Sequence, residues 1–357
     1  MERTFICQVV PKQLTSKLNV SQAANNFCFN LIDANCFSSV LSLVPINIID
    51  KIKGNDIDYI QYRGFSSHKG LFKLLNSVIE SFVLAKKVKK SKNIWFYNVT
   101  PHNFLSILIL KFLYKKKNFL ILADYTPSKK FFSIQRFIKI FIEKNVSGII
   151  SLSGRVEFSN KNMLNLAGIV PLNKIYDIKL SKSIKKEFLF SGRLEDSTGW
   201  SLAIEVFSKL PDCTLIITGH LSKDKIEEIS KYKNIKYLGL LSYDEYLKLL
   251  NKIPFNLNLR NPSFDKNLNN FPSKILEAFS YNRIVLSTFK YNELNGFKYF
   301  YCKYDSSSLR DLLINISKKA FDELKDHSNH SLMLEKSFSE IKWKKYLTNI
   351  EKNKNEQ

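Results

Sequence analysis

The stretch Phe188-Leu189-Phe190-Ser191-Gly192-Arg193-Leu194 decides the fold. It is a short apolar run ending in Ser-Gly-Arg. After Gly199-Trp200 comes a helical pattern of Leu202, Ala203, Val206, Phe207 and Leu210. That order reads as strand, tight loop, helix. Cys213-Thr214-Leu215-Ile216-Ile217-Thr218-Gly219 is a second buried strand ending in glycine. Ile235-Lys236-Tyr237-Leu238-Gly239 is a third, with a helix from about Ser242. Strands that end in glycine and alternate with helices predict a parallel sheet whose carboxyl edge forms a ligand crevice. Gly192 lets the backbone approach a ligand closely, and Arg193 offers a planar fork for phosphate oxygens.

A second stretch, Asn269-Asn270-Phe271-Pro272-Ser273-Lys274-Ile275-Leu276-Glu277-Ala278, reads as a loop turning sharply into a helix. Pro272 fixes φ and lacks an N–H, which suits a helix start. The Ser273 and Lys274 amides then belong to the unpaired donors of a helix N-terminus, an end that attracts anions. Lys274 adds a positive charge, and Glu277, one turn on, can accept hydrogen bonds from hydroxyls. A phosphate joined to a sugar diol is the ligand this pattern suggests. The competing reading is an ordinary capped helix with a solvated Lys and Glu.

Together, "FSGRLEDSTGW", "LIITG", "IKYLGLLSYDEYLKLL" and "FPSKILEAFSYNRIVLST" resemble the donor-binding half of glycosyltransferase family 4, the retaining GT-B enzymes. The resemblance is strong over residues 186–290 and weaker elsewhere. It implies an α/β chain of two doubly wound Rossmann-like domains facing across a cleft. Residues 1–175 would bind the acceptor, 176–335 the nucleotide sugar, and a helix in 336–357 would pack back toward the first domain after Trp343. Donor binding would fall to Gly192, Arg193, Thr198, Gly219, Leu240, Asn269, Asn270, Phe271, Pro272, Ser273, Lys274 and Glu277. In the family the Arg binds the diphosphate and the late Glu the nucleotide ribose. Asn269, Asn270 and Phe271 would line the donor sugar. Two departures stand out. Thr198 occupies the position of a family Lys, whose charge Lys274 would replace, and Asn269 that of a family Glu which contacts donor-sugar hydroxyls. Asn keeps hydrogen bonding there without the charge. Retention of stereochemistry is implied by the family alone.

The amino-terminal half offers strands over Phe5–Pro11, Val40–Leu43, Ile94–Val99, Phe119–Ala123 and Gly148–Ser153, with a helix over Ser21–Ile32. Helices between them predict a second doubly wound domain. Its first loop, Leu18 to Ala24, lacks the glycines usual in the family, so Ser21 or Asn19 would cap the helix that faces the donor phosphate. Function gathers at strand ends. His102 follows the Ile94 strand and is the candidate for a group beside the reacting sugar. Asp124 follows the Phe119 strand and is the candidate acceptor base, since a carboxylate suits proton removal from a hydroxyl. Helix capping by Asp124 and a structural His102 are the bland alternatives.

The chain has 357 residues, enough for two domains, and its 45% hydrophobic content excludes disorder. Cys7, Cys28, Cys36, Cys213 and Cys302 lack CxxC spacing and read as reduced core thiols of a cytosolic protein. No DxD-type acid pair presents a metal site: Asp265 stands alone and Asp322-Glu323 lies in a late helix. The expectation is therefore a metal-independent enzyme with no cofactor beyond its nucleotide-sugar substrate. The start of the chain has no signal-peptide pattern, and no apolar run reaches the roughly 18–20 residues of a membrane span.

Lys and Arg total 55 against 32 acids, a formal charge of +23. Basic residues recur beside apolar stripes: Leu71, Leu74, Leu75, Val78 and Phe82 run into Lys86-Lys87-Val88-Lys89-Lys90. A second stripe, Phe131, Ile134, Phe137, Ile138 and Phe141, is interleaved with Lys129, Lys130, Arg136, Lys139 and Lys144. Such helices either face the core with a solvated rim or bind anionic lipid. Peripheral attachment to the inner face of the cell membrane is the expectation. No helix-turn-helix, zinc-finger spacing or aromatic nucleic-acid motif accompanies the charge, which argues against nucleic acid. The resemblance is nearest in character to bacterial enzymes that extend lipid-linked O-antigen or capsular units. A lipid-linked glycan acceptor is expected; the rivals are a GT-B-like protein that binds nucleotide or glycan without catalysis, and a related enzyme such as a sugar-phosphate phosphorylase or synthase acting on soluble acceptors.

Overall fold

The structure, a computed structural model, describes residues 2–11, 14–15, 21–44, 57–62, 71–123, 125, 128, 133–152, 158, 162–268 and 270–352. Its contacts divide the chain into two compact units, residues 1–171 with 340–357, and residues 172–339.

In the first unit, strands β1 (Arg3–Cys7), β2 (Ser39–Val44), β3 (Ile57–Gln61), β4 (Asn93–Tyr97), β5 (Asn118–Leu122), β6 (Gly148–Ser151) and β7 (Asn162–Asn165) make one parallel sheet. Their order is β3-β2-β1-β4-β5-β6-β7. The central strands are continuous apolar runs because helices cover both faces. Helix α1 (Gln22–Asp33) follows β1. Helices α2 (Leu71–Val88), α3 (Phe104–Phe112) and α4 (Ile134–Asn145) each lead to the next strand rightward. Right-handed crossovers therefore put α2, α3 and α4 on one face and α1 on the other.

Strand β1 stops at Cys7, short of the expected Pro11. The Asn25 side chain accepts from Val10 N and donates to Val10 O, both at 2.9 Å, taking over the bonds a ladder would have made. Strands β3 and β7 were not expected. They are edge strands reading IDYIQ and NMLN, half-polar sequences that carry no apolar run.

In the second unit, β8 (Glu187–Arg193), β9 (Thr214–His220), β10 (Ile235–Tyr237), β11 (Phe255–Asn258), β12 (Ile284–Ser287) and β13 (Phe300–Tyr301) form a parallel sheet ordered β10-β9-β8-β11-β12-β13. Helices α5 (Trp200–Phe207), α6 (Lys223–Ser230), α7 (Tyr243–Lys252), α8 (Asp265–Leu268), α9 (Ser273–Ser280), α10 (Ser306–Lys318), α11 (Phe321–Lys325) and α12 (Ser331–Phe338) accompany it. Phe188 stacks on Phe255 with centroids 4.8 Å apart, across the middle of the core. The chain order reverses between β8 and β11, the switch point at which doubly wound sheets open a crevice.

The helix expected within 336–357 begins at Glu340. Ser337 and Phe338 close α12, Ser339 is extended (φ −67°, ψ 162°), and α13 (Glu340–Glu351) follows. Helix α13 packs on β6 and β7 of the first unit. Trp343 is fully buried there, its Nε1 donating to Gly168 O at 2.7 Å. The Glu351 side chain, in a polar stretch of the sequence, is buried. It accepts from Arg3 Nε at 2.8 Å, Arg3 Nη2 at 3.0 Å and Trp95 Nε1 at 2.9 Å. All five cysteines are buried and unbridged. Burial pushes the Cys36 thiol up to about 12. Among the described residues no helix is long and apolar enough to cross a membrane.

Candidate functional site

At the switch point of the second unit, Ser191, Gly192 and Arg193 are still in the ladder of β8, with Gly192 opposite Gly219 and Arg193 opposite His220. Gly192 has φ +111°, a region that favours glycine. A Cβ added to it would come within 3.1 Å of the Lys274 Cε and Nζ. The Lys274 chain thus lies directly against the Gly192 backbone. Its Nζ donates to Ser191 Oγ at 3.1 Å and sits 4.9 Å from the Tyr246 ring centroid. Residues 191 and 274 belong to separate motifs, and the fold brings them together.

Helix α9 starts at Ser273 with Pro272 as its N-cap, as the sequence predicts. The Ser273 and Lys274 amides therefore open its positive end. One turn on, Glu277 accepts a long hydrogen bond from Tyr243 Oη, 3.4 Å. Burial raises the Glu277 carboxyl above the ordinary range against the pull of Lys274, and burial lowers the Lys274 ammonium against the pull of Glu277. Burial, then the charge of Glu277, pushes up the hydroxyls of Tyr243 and Tyr246. The Tyr246 hydroxyl is buried beside Glu277 and Ser191, and among the described residues none lies within full hydrogen-bond geometry of it. One cation, one carboxylate and two phenols share a partly dry recess.

The remaining candidates divide. Arg193 is exposed and faces Glu195 at 3.6 Å, and Glu195 also meets Lys266 at 3.3 Å. Thr198 Oγ1 lies 2.6 Å from Arg193 O and 2.8 Å from Glu195 O, and accepts from Glu195 N at 3.1 Å. Its hydroxyl is committed to closing the loop after β8. Gly219 N donates to Gly239 O at 3.0 Å, which draws the loops after β9 and β10 together, and Leu240 beyond them is exposed. The Phe271 ring does not line a ligand space. It is buried against Tyr291 and Phe338, so only its main chain is left to face a ligand. Asn270 O accepts from Arg260 Nη1 at 3.0 Å, which ties the loop to the end of β11. Asn269 lies outside the described residues.

In the first unit His102 is in the turn after β4, half-buried, its ring edge-on to Tyr62 at 5.2 Å. The turn is built by Asn98, whose φ of 57° and bond from Ala123 N (2.7 Å) anchor it to the end of β5. Asp124 falls outside the described residues, as do Asn19 and Ser153. Ser21 caps α1 as expected, accepting from Ala24 N at 3.4 Å.

Sequence reasoning passed over Ser191, Tyr243 and Tyr246. A usable signal was present. The capping box of Ser242 and Glu245 fixes the start of α7, and Tyr243 and Tyr246, three apart, must then share a face.

No protein-family model matches the chain, and no curated protein matches its sequence. Solved structures do match it in shape. HepE from Anabaena in complex with UDP covers 99% of this chain and 100% of its own at 13% identity, with a TM-score of 0.70. The fold is GT-B. The sucrose-phosphate synthase of Thermosynechococcus elongatus shares this GT-B architecture at 12% identity, over 99% of both chains, with a TM-score of 0.69. A UDP-GlcNAc 2-epimerase from Neisseria meningitidis, bound to UDP-GlcNAc, matches at 13% identity over 99% of this chain and 100% of its own, with a TM-score of 0.59. At such identities the likeness is one of GT-B fold.

Proposed function

We propose that the chain is a glycosyltransferase that moves a sugar from a nucleoside diphosphate donor to a hydroxyl of a glycan acceptor. The carrying observation is the convergence of Lys274, Ser191 and Glu277 at the switch point of the second sheet. In the reaction the bond from the anomeric carbon to the diphosphate breaks and a bond to the acceptor oxygen forms. The acceptor's proton passes to a base, for which Asp124 is the candidate, with His102 beside the sugar. Charge grows on the leaving diphosphate. Lys274, the amides at the start of α9 and Arg193, released from Glu195, stabilise it. Glu277 holds the ribose diol, and the buried Tyr246 hydroxyl beside it is placed to add a further bond.

The fold neighbours that hold UDP or UDP-sugars support a nucleotide-sugar ligand. The family resemblance and the cationic amphipathic helices support a lipid-linked acceptor at the inner face of the cell membrane, in O-antigen or capsular polysaccharide synthesis. The reading assigns the phosphate charge to protein cations rather than to a metal. Thr198, committed to its loop where the family has a Lys, favours one rival, a protein that binds the donor without turnover. Incubation with a bound donor and lipid-linked acceptors separates them. Sugar-extended lipid with nucleoside diphosphate released supports transfer, and donor binding with no product across the acceptor panel supports the rival. Stimulation by manganese after EDTA treatment would contradict the metal-independent reading.

A further inference from the structure

Lys111, Lys115, Lys116 and Lys144 line a hollow of about 360 Å³ where α3 and α4 end and β5 and β6 begin. This is the amino edge of the first sheet, opposite the strand ends that carry His102, so it is separate from the candidate site. No acid lines it. Lys111 Nζ donates to Lys144 O and, at 3.3 Å, to Asn145 Oδ1, while Lys116 Nζ donates to Ser91 O at 3.2 Å. Those acceptors are uncharged, so Lys111 and Lys116 are held in place by groups that do not offset their charge. The two helix ends contribute about half a negative charge each, which four lysines outweigh.

Beside the hollow the surface is apolar. Lys111 Nζ sits 4.9 Å from the Phe112 ring centroid, and Phe112 and Leu113 are 66% and 60% exposed. On neighbouring α4, Ile134, Phe137 and Ile140 are exposed, and on α2, Leu75, Ile79, Phe82 and Val83. At 100° per residue Phe137, Ile140 and Lys144 share one side of α4, and Leu75, Ile79, Phe82 and Lys86 one side of α2. The three helices form one layer, so these are the outward sides of a single face. Scattered exposed apolar residues are ordinary; an apolar surface across three adjacent helices, rimmed by lysine, is not.

We infer that the outer face of α2, α3 and α4 seats on an anionic lipid bilayer, with Phe112, Leu113 and Phe137 entering the acyl boundary and the lysine hollow taking a lipid phosphate. Charge complementarity chooses this occupant: a second copy would bring the same lysines against each other, and nucleic acid has no use for the apolar side chains. The inference rests on the membrane placement in the proposed function and names its surface; the test needs no donor, so its failure removes that placement and leaves the sugar-transfer reading standing.

The test is co-sedimentation of the full chain with phosphatidylcholine vesicles and with phosphatidylcholine–phosphatidylglycerol vesicles, at low and high salt. Binding is expected only with phosphatidylglycerol. It should fall roughly tenfold or more in Phe112→Ser/Phe137→Ser and in Lys115→Glu/Lys144→Glu, with circular dichroism unchanged because Phe112, Phe137 and Lys144 lie on exposed sides of helices and Lys115 in the exposed loop after α3. Absence of binding at low salt overturns the inference. So does binding that the apolar substitutions leave unchanged, which is bare attraction of a cationic protein to any polyanion. Concentration-dependent self-association abolished by Phe112→Ser would assign the face to a second copy instead.

Discussion

Lys274 Nζ donates to Ser191 Oγ at 3.1 Å, joining a strand end and a helix start that are 83 residues apart in the chain. The contact holds the ammonium against the Gly192 backbone, where burial lowers its proton affinity and Glu277 opposes that shift. A diphosphate placed there would meet a cation already oriented and partly stripped of water, the condition in which electrostatic stabilisation is most effective.

Gly192→Ala should damage both stability and the site. The backbone at φ +111° is strained for any side chain, and the new methyl would lie 3.1 Å from the Lys274 Cε and Nζ. A loss of about 1–2 kcal/mol in urea unfolding is expected, together with weaker donor binding because Lys274 is pushed aside. Wild-type values of both would contradict the geometry.

Glu195 holds Arg193 and Lys266 in surface pairs. A donor phosphate must displace it from Arg193. Glu195→Gln should therefore tighten donor binding by roughly 2- to 5-fold at low salt, with the gain fading as salt rises. Weaker binding in the variant would show that Glu195 itself serves the ligand.

His330 gives the second unit an acid sensitivity. It is buried, with its ring centroid 4.0 Å from Phe279, and Nε2 lies 2.8 Å from His327 O. Burial lowers its affinity for a proton to about 4, against the bond to His327. The unfolded chain binds that proton near 6.5 and the folded one does not. Stability is therefore lost as pH falls from 6.5 to about 4, by about 3 kcal/mol for this group, and the loss levels off below. Urea midpoints at pH 7 and pH 4.5 should converge in His330→Gln relative to the parent.

Glu351→Gln tests the C-terminal helix. It leaves the Arg3 guanidinium buried without its carboxylate and should cost the first unit about 3–5 kcal/mol. Trp95, hydrogen-bonded to the same carboxylate, reports the change by fluorescence. An unaltered unfolding curve would show that the Arg3–Glu351 pair contributes nothing to that unit.

The parallel sheets were legible because their central strands are apolar runs, marked in the second unit by the glycines at the ends of β8 and β9, a pattern that needs no tertiary information. Strands β3 and β7 were not, since each is an edge whose sequence is half polar. Helix α9 was readable from Pro272 because a proline constrains its own residue. The inward turn of Phe271 was not, because Tyr291 and Phe338 that receive it are distant in sequence. Glu351 shows the same limit: in a polar tail it reads as solvated, and only the fold brings Arg3 and Trp95 to it. Ser191 was in view within its motif, yet nothing local shows that Lys274 will reach it.

Calorimetric titration of the full chain with a panel of nucleoside diphosphate sugars, UDP-glucose among them, tests the central claim most directly, with Lys274→Met and Glu277→Gln alongside. The account predicts that one donor binds and that Lys274→Met loses about 10- to 100-fold in affinity, the worth of a hydrogen-bonded charge. Glu277→Gln should weaken binding of the nucleotide sugar while leaving inorganic diphosphate binding unchanged, since it serves the ribose. Failure of every donor to bind, or binding that both substitutions leave intact, would contradict the assignment of this site.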